Sequence, residues 1–200
     1  MWNTGVSRLH RSTKTVEDSG KVRTEWAVYK YPKMESEAQK LLHYLHHILG
    51  WSVERVKDLG IFEKPSVVWF SGNVLLNEGI THLWELACGV SAPTNPPWNA
   101  ANAYIGVGDG TTAENAAQTG LQGTSKAYKV MDSGYPTYGT DQKAQWQSTF
   151  AGTEANFSWR EITVANGSSD VAVNLNRKVQ DLGTKASGTT WIAQLTITLT

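Results

Sequence analysis

The stretch AYIGVGDGTTAEN places three glycines at alternate positions after an apolar run, namely Gly106, Gly108 and Gly110. Such a loop could bind phosphate through its backbone amides. A dinucleotide-binding turn, however, needs a third glycine where this chain has Thr111, and a Walker loop needs Gly-Lys-Ser/Thr. No lysine lies between Lys64 and Lys126. We therefore interpret the stretch as a turn after a buried strand, in which the glycines adopt backbone angles that larger residues resist.

Three histidines close together form the strongest metal candidate: His43, His46 and His47. On a helix, the first and last of them lie one turn apart and could face a single ion. Zinc would need a further ligand, and the next histidine is His82, with Glu78 and Glu85 beside it. This spacing matches no familiar zinc motif. We expect the histidines to flank an amphipathic helix, solvated or hydrogen-bonded, and we expect no metal site.

Nucleophilic catalysis has little support in the sequence. No Gly-x-Ser-x-Gly elbow occurs, Cys88 has no evident basic partner, and residues 90–200 contain no histidine. The acids of that region are Asp109, Glu114, Asp132, Asp141, Glu154, Glu161, Asp170 and Asp181. They are scattered singly through turns, so a glycosidase built on paired carboxylates is an unsupported alternative. We interpret Cys88 as a small buried residue and expect no catalytic or cofactor-binding residue.

Nine tryptophans are many for a chain of this length. Four of them lie beyond residue 90, at Trp98, Trp146, Trp159 and Trp191. Exposed tryptophans on a β-sheet can stack on sugar rings, so a carbohydrate-binding module is a competing hypothesis. Sequence alternation puts Trp159 on one face with Phe157, and Trp191 with Leu195, which indicates burial. Core packing and subunit contacts are therefore the expected roles.

Composition limits the possible partners. The 200 residues include 40% hydrophobic residues, which is enough for one core and a small appendage. With 18 basic and 18 acidic residues, the formal net charge is zero, so we expect neither nucleic-acid nor membrane binding. A single cysteine excludes an internal disulfide, and no apolar run reaches the roughly 18 residues that a membrane span needs. We expect a soluble protein made in a reducing cytoplasm.

The first part of the chain predicts a mixture of strands and helices. KVRTEWAVY alternates as a half-buried strand, and SVVWF reads as a fully buried one. MESEAQKLLHYLHHILG predicts an amphipathic helix ending at Gly50, and VERVKDLGIF predicts one or two turns before Pro65. NVLLNEGITHLWELACG predicts a second helix ending at Gly89. The apolar positions of the two helices are Leu41, Leu42, Leu45, Ile48 and Leu49, then Leu75, Leu76, Ile80, Leu83, Trp84 and Ala87.

The composition changes near residue 90, and the rest of the chain predicts a β-rich body. Its candidate strands are AYIGV, AYKVM, AQWQSTF, NFSWREITVA, VAVNLN and TTWIAQLTITLT. The last alternates most cleanly, with apolar residues from Trp191 to Leu199 on one face. We predict a mainly β protein: an antiparallel β-sandwich or jelly-roll-like body with an N-terminal α+β extension that contains one or two helices.

Residues 73–200 resemble a family of structural proteins of tailed-bacteriophage virions, encoded among head and tail genes. The matching phrases, in order, are GNVLLNEGITHLWELACG, NAANAYIGVGDGTTAENAAQTGLQG, KVMDSGYPTYG, QSTFAGTEANFSWREITVANG and LNRKVQDLGTKASGTTWIAQLTITL. They cover about two thirds of the chain, and residues 1–72 match only a variable leader with a strand, a helix and a strand. The resemblance implies a β-rich domain over 73–200 that starts with a short helix, and an extension over 1–72.

The resemblance also implies a function without catalysis. We expect a virion component, assembled in the host cytoplasm, that binds other virion proteins such as the major capsid protein. A capsid-associated or decoration role is the leading expectation, and a tail, neck or fibre role with host glycan binding is the alternative. We further expect a homo-oligomer such as a trimer. If the leader is an anchor, deleting residues 1–33 releases the protein from particles without unfolding the body.

Overall fold

The computed structural model describes residues 21–89, 93 and 95–200. Three helices lie in the first half: α1 (Ser36–His43), α2 (Val53–Asp58) and α3 (Asn77–Ala87). A π-helical turn over Tyr44–Ile48 continues α1. The strands are β1 (Val22–Tyr31), β2 (Ser66–Ser71), β3 (Val74–Leu75), β4 (Tyr104–Gly108), β5 (Lys126–Val130), β6 (Thr137–Tyr138), β7 (Lys143–Phe150), β8 (Ser158–Ala165), β9 (Asn176–Thr184) and β10 (Thr190–Leu199).

The strands form two antiparallel sheets of five strands each. The first sheet has the order β2-β1-β10-β7-β6, and the second has the order β3-β9-β8-β4-β5. Apolar side chains from both sheets meet in one core, in which the Trp159 ring contacts the rings of Phe150 and Trp191 edge to face. The architecture confirms the predicted mainly β, sandwich-like fold.

Helices α1 and α2 add a third layer on the outer face of the first sheet. They bury Leu42, Leu45 and Val56 against the outward-facing residues of β1 and β10, including Tyr29 and Ile192. The β1 strand is therefore covered on both faces, whereas its alternation predicted one buried face. Because α1 and α2 cover the outer face, β1 carries tyrosines there, where a half-buried strand would carry polar residues.

Strand β1 lies inside the sheet and pairs with β10 along its full length, from Val22 opposite Leu199 to Tyr31 opposite Thr190. On its other side it pairs with β2. Trp26 and Val28 belong to the same core as the strands beyond residue 73. Deleting residues 1–33 would remove this strand from the middle of the sheet. Contrary to the expectation from the sequence, we therefore expect the deletion to unfold the body.

The helical faces differ from those that the sequence predicts. The π-helical turn shifts the rotation of the chain, so that His46 is buried while Ile48 and Leu49 are exposed. In α3, the buried positions are Gly79 and His82, and the predicted apolar residues Leu83 and Trp84 face outward. A Cβ on Gly79 would lie 2.5 Å from the Leu175 carbonyl oxygen, which explains a glycine inside this helix.

Two strands also differ from prediction. The SVVWF segment forms β2, but at the edge of the sheet, where Trp69 is exposed instead of buried. The predicted VAVNLN strand is wrong over most of its length: only an isolated bridge pairs Ala165 with Asn174, and β9 begins at Asn176. The sequence did not predict β9, because most of its residues are polar and its hydrophobic alternation is weak.

Candidate interaction surface

The glycine-rich loop does surround an anion, but the anion is the protein's own Glu161 carboxylate on β8. This side chain is fully buried. It accepts hydrogen bonds from the backbone amides of Gly110 at 3.1 Å, Gln122 at 3.0 Å and Gly123 at 2.7 Å. Arg177 on β9 completes the cradle, with its Nε 2.8 Å from Glu161 Oε2.

The glycines are needed for space and not for unusual backbone angles. None of Gly106, Gly108 and Gly110 has a positive φ, so our interpretation of them was wrong. A Cβ on Gly108 or Gly110 would overlap Glu161 Oε1, and one on Gly106 would approach the Tyr128 ring to 2.6 Å. Because these backbone amides already donate hydrogen bonds to Glu161, the loop links strands within the protein instead of binding a phosphate.

The histidines do not converge as metal ligands. The rings of His43 and His47 stack at 4.8 Å between centroids, and His47 Nδ1 lies 2.9 Å from Asp132 Oδ1. His46 turns inward, where its Nδ1 lies 2.8 Å from the Trp51 carbonyl oxygen. Burial lowers the pKa of both His43 and His46. The His47–Asp132 contact attaches the helical layer to the sandwich.

His82 and its acidic neighbours have separate roles. His82 is buried in α3, with Nδ1 at 2.9 Å from Glu85 and Nε2 at 3.0 Å from the Pro96 carbonyl oxygen. Glu78 accepts a hydrogen bond from the Asn174 amide at 2.9 Å. Within residues 21–89, 93 and 95–200, no group of three or more histidine, cysteine or acidic side chains could hold a metal ion.

The eight acids of the β-rich part each have a partner inside the protein. Buried Asp132 accepts hydrogen bonds from the Thr149 hydroxyl and from Gln147, and Asp170 pairs with Lys126. The others pair as follows: Asp109 with the Thr124 and Ser125 amides, Glu114 with the Val179 amide, Asp141 with Lys143, Glu154 with Lys129, Glu161 with Arg177, and Asp181 with Arg160. Burial alone would raise the pKa of Asp109, but its hydrogen bonds outweigh that effect and lower it.

The four tryptophans beyond residue 90 are all buried, as alternation indicated for Trp159 and Trp191. Large exposed indoles lie elsewhere: Trp69 on β2 is 65% exposed, and Trp84 on α3 is 61% exposed. Cys88 is also exposed, so our interpretation of it as a buried residue is wrong. Within the described residues, the exposed indoles therefore lie before residue 90.

An apolar groove opens at one end of the sandwich, beside α3. It has a volume of about 370 Å³ and is lined by the ends of β1 and β10, at Val22 and Leu199, and by Leu75 of β3. At that end the second sheet offers little cover, because β3 has only two residues. The apolar lining residues are Val22, Leu75, Leu83, Ala144, Trp146, Leu175, Ile197 and Leu199.

A second hollow of about 530 Å³ continues this surface. It shares Leu83, Ala144 and Trp146 with the groove and adds Pro97, Pro136 and Tyr138. Tyr138 is 83% exposed and Leu199 is 58% exposed. We call the two hollows together the apolar end. Contiguous apolar surface of this kind marks sites where proteins or ligands bind.

Sequence reasoning missed the apolar end. Its signal was present in part, because the apolar row of the last strand continues to Leu199 and the second helix carries Leu83. In the sequence, these rows indicate the apolar faces of a strand and a helix and do not separate core from contact surface. Only the positions of the sheets show that these residues extend beyond the core.

Comparisons of the chain with protein-family models, with curated proteins and with solved structures find no match. Within the described part of the chain, no helix is long and apolar enough to cross a membrane.

Proposed function

We propose that the protein is a non-enzymatic structural component of a tailed-phage virion and that it binds other virion subunits through the apolar end. The observation that carries the proposal is the groove around Leu83, where core-type side chains lie open at the end of a packed sandwich. The sequence resemblance supplies the biological setting, and the groove supplies a surface that suits protein contacts.

The chemistry of the apolar end suits a protein partner. Aromatic and aliphatic side chains line it, Leu83 lies where the two hollows meet, and Tyr138 and Leu199 are exposed. Lys143 and Gln142 supply polar groups at the rim of the groove. An apolar centre with a polar rim is typical of interfaces in which a few buried residues provide most of the binding energy.

Internal pairing of the charged groups supports a structural role. The buried acids Asp132 and Glu161 join strands and loops through several hydrogen bonds each. In a multicopy particle, modest contacts repeated on every subunit give strong overall attachment. We place the protein at the capsid surface, as a decoration or head protein, in agreement with the leading expectation from the resemblance.

The experiment is incorporation of variants into phage particles. Replacing Leu83 with lysine puts a charge at the centre of the apolar end, and we expect its copy number in purified particles to fall at least about tenfold. Tyr44→Lys, at an exposed aromatic residue on the helical layer, is the control and should leave the copy number unchanged. Equal incorporation of Leu83→Lys and wild type, with both proteins folded, would refute the proposal.

A tail, neck or fibre component that binds host glycan is the second candidate. Exposed Trp69 and Trp84 favour it, since an indole face stacks well on a sugar ring. Titration of the purified protein with host surface glycans should then quench tryptophan fluorescence. Quenching that disappears in the Trp69→Ala or Trp84→Ala variant would favour this candidate, and unchanged fluorescence at saturating glycan would eliminate it.

A further inference from the structure

Strand β2 forms an outer edge of the first sheet and pairs on one side only, with β1. The Gly72 amide donates a hydrogen bond to the Thr24 carbonyl at 3.1 Å. Because hydrogen-bonded residues alternate along an antiparallel pair, this bond shows which residues of β2 have backbone groups directed towards β1. Even-numbered residues of β2 therefore bond to β1. The amides and carbonyls that point away from the sheet belong to Val67, Trp69 and Ser71. Within the described residues, these groups have no hydrogen-bond partner.

The other strand edges carry features that prevent pairing with another strand. Edge strand β3 has only two residues and covers only the start of β9. Beyond it, the Val179 amide of β9 donates to Glu114 at 2.7 Å and the Gly183 amide donates to Asp181 at 2.9 Å. Edge strand β6 has only two residues, and edge strand β5 carries Lys126 and Lys129. Charged or capped edges such as these resist the addition of a further strand.

The β2 edge lacks this protection. Its sequence, SVVWFS, contains no charge and no proline, and its register with β1 is continuous. Val67 and Trp69 project to the outer face of the sheet and are exposed, while Val68 and Phe70 pack towards the core. An uncharged edge with high β-propensity is a template for an additional strand.

We propose that two copies of this chain pair through β2, antiparallel, about a twofold axis that passes at Trp69. Hydrogen-bonded pairs must join outward-pointing residues on both strands. Only a twofold axis at Trp69 pairs all three outward-pointing residues with one another. Val67 then lies opposite Ser71 of the second copy, and Trp69 lies opposite Trp69 of the second copy. The pairing joins two five-stranded sheets into one of ten strands, and it takes the place of the expected trimer.

The side chains at the axis favour this register. Trp69 contacts Tyr29 edge to face, with 5.9 Å between ring centroids, so its indole is already supported within one chain. Across the axis the two indoles lie on the same face, in a pair whose Cα atoms are about 5.5 Å apart, and they cover each other from water. No like charges oppose each other along β2, so the strand is suited to pairing with itself.

The test uses the purified full chain, so its outcome does not depend on incorporation into particles. Sedimentation equilibrium should give a dimer for the wild type. Trp69→Lys should raise the dimer dissociation constant by at least about a hundredfold, and Trp84→Lys, at an equally exposed indole, should leave it unchanged. Circular dichroism checks that both variants are folded.

Cysteine cross-linking then tests the register, in a Cys88→Ser background that removes the exposed native thiol. Trp69→Cys should oxidise to a linked dimer, because facing Cα atoms about 5.5 Å apart suit a disulfide. Val67→Cys should link to Ser71→Cys when the two variants are mixed, and neither should link to itself. A monomeric wild type, a Trp69→Lys dimer as strong as the wild type, or self-linked Val67→Cys would each overturn the proposal.

Discussion

Replacing Glu161 with glutamine tests the view that the glycine-rich loop is built around a buried carboxylate. The side chain is fully buried and accepts hydrogen bonds from three backbone amides and from Arg177. Glutamine keeps the shape but removes the charge, and it directs an amide NH₂ group towards groups that are themselves donors. Breaking a buried ion pair on one side typically costs about 3–5 kcal/mol, against a total stability of about 5–15 kcal/mol for a domain.

Urea unfolding followed by tryptophan fluorescence measures this loss. With a denaturant slope of about 2 kcal/mol per M, the midpoint should fall by about 2 M. Asp141→Asn is the control, since that acid is exposed and pairs with exposed Lys143, and it should change stability by less than about 0.5 kcal/mol. Adding Arg177→Met to Glu161→Gln should cost less than the sum of the single changes. A decrease in the free energy of unfolding of less than about 1 kcal/mol for Glu161→Gln would show that the buried carboxylate does not hold the loop and the strands together.

Three further predictions concern the helices and the first strand. Gly79→Ala should destabilise the protein by about 1–3 kcal/mol in urea, although alanine favours helices, because its Cβ would press on the Leu175 carbonyl oxygen. Deleting residues 1–33 should abolish folding, seen as loss of the β-sheet signal in circular dichroism, because β1 lies between β2 and β10. Since burial lowers the pKa of His43 and His46, the folded state favours their neutral forms. Stability should therefore be full above about pH 6.5 and should fall as the pH drops below it, by up to about 1.4 kcal/mol per pH unit for each histidine.

Each of these predictions has an outcome that would contradict it. Thr81→Ala lies on the exposed side of α3 and should not destabilise the protein, so equal losses for Thr81→Ala and Gly79→Ala would contradict the packing argument. A folded deletion variant would show that β1 is dispensable. Carboxylates with lowered pKa values titrate below the histidine range, so urea midpoints that stay constant from pH 7.5 to pH 5 would exclude the burial of His43 and His46 as a stability factor.

Much of the fold could be predicted because two strands alternate strongly. The alternating row that begins at Val22 identified β1, and the row that ends at Leu199 identified β10. These two strands lie next to each other in the first sheet. Gly50 and Gly89 correctly marked where helical segments end, and both have positive φ. Both signals arise from residues that are close together in the chain, so they can be recognised in a single sequence.

The faces of the elements could not be predicted in the same way. Leu83 looks like a core residue in any helical projection, but the close approach of the Leu175 backbone selects Gly79 for the buried side. The partner of the glycine-rich loop lies 51 residues beyond Gly110, and nothing local marks Glu161 as its occupant. The apolar end brings together residues from α3, β1, β7 and β10 that are far apart in the chain, so it exists only in the assembled sandwich.

A cryo-electron reconstruction of the phage particles tests the central claim most directly. Our account predicts density for this chain in many copies on the capsid surface, with the groove around Leu83 and Leu199 covered by a neighbouring subunit. Particles that lack the chain, or that carry it with the apolar end facing solvent, would contradict the account.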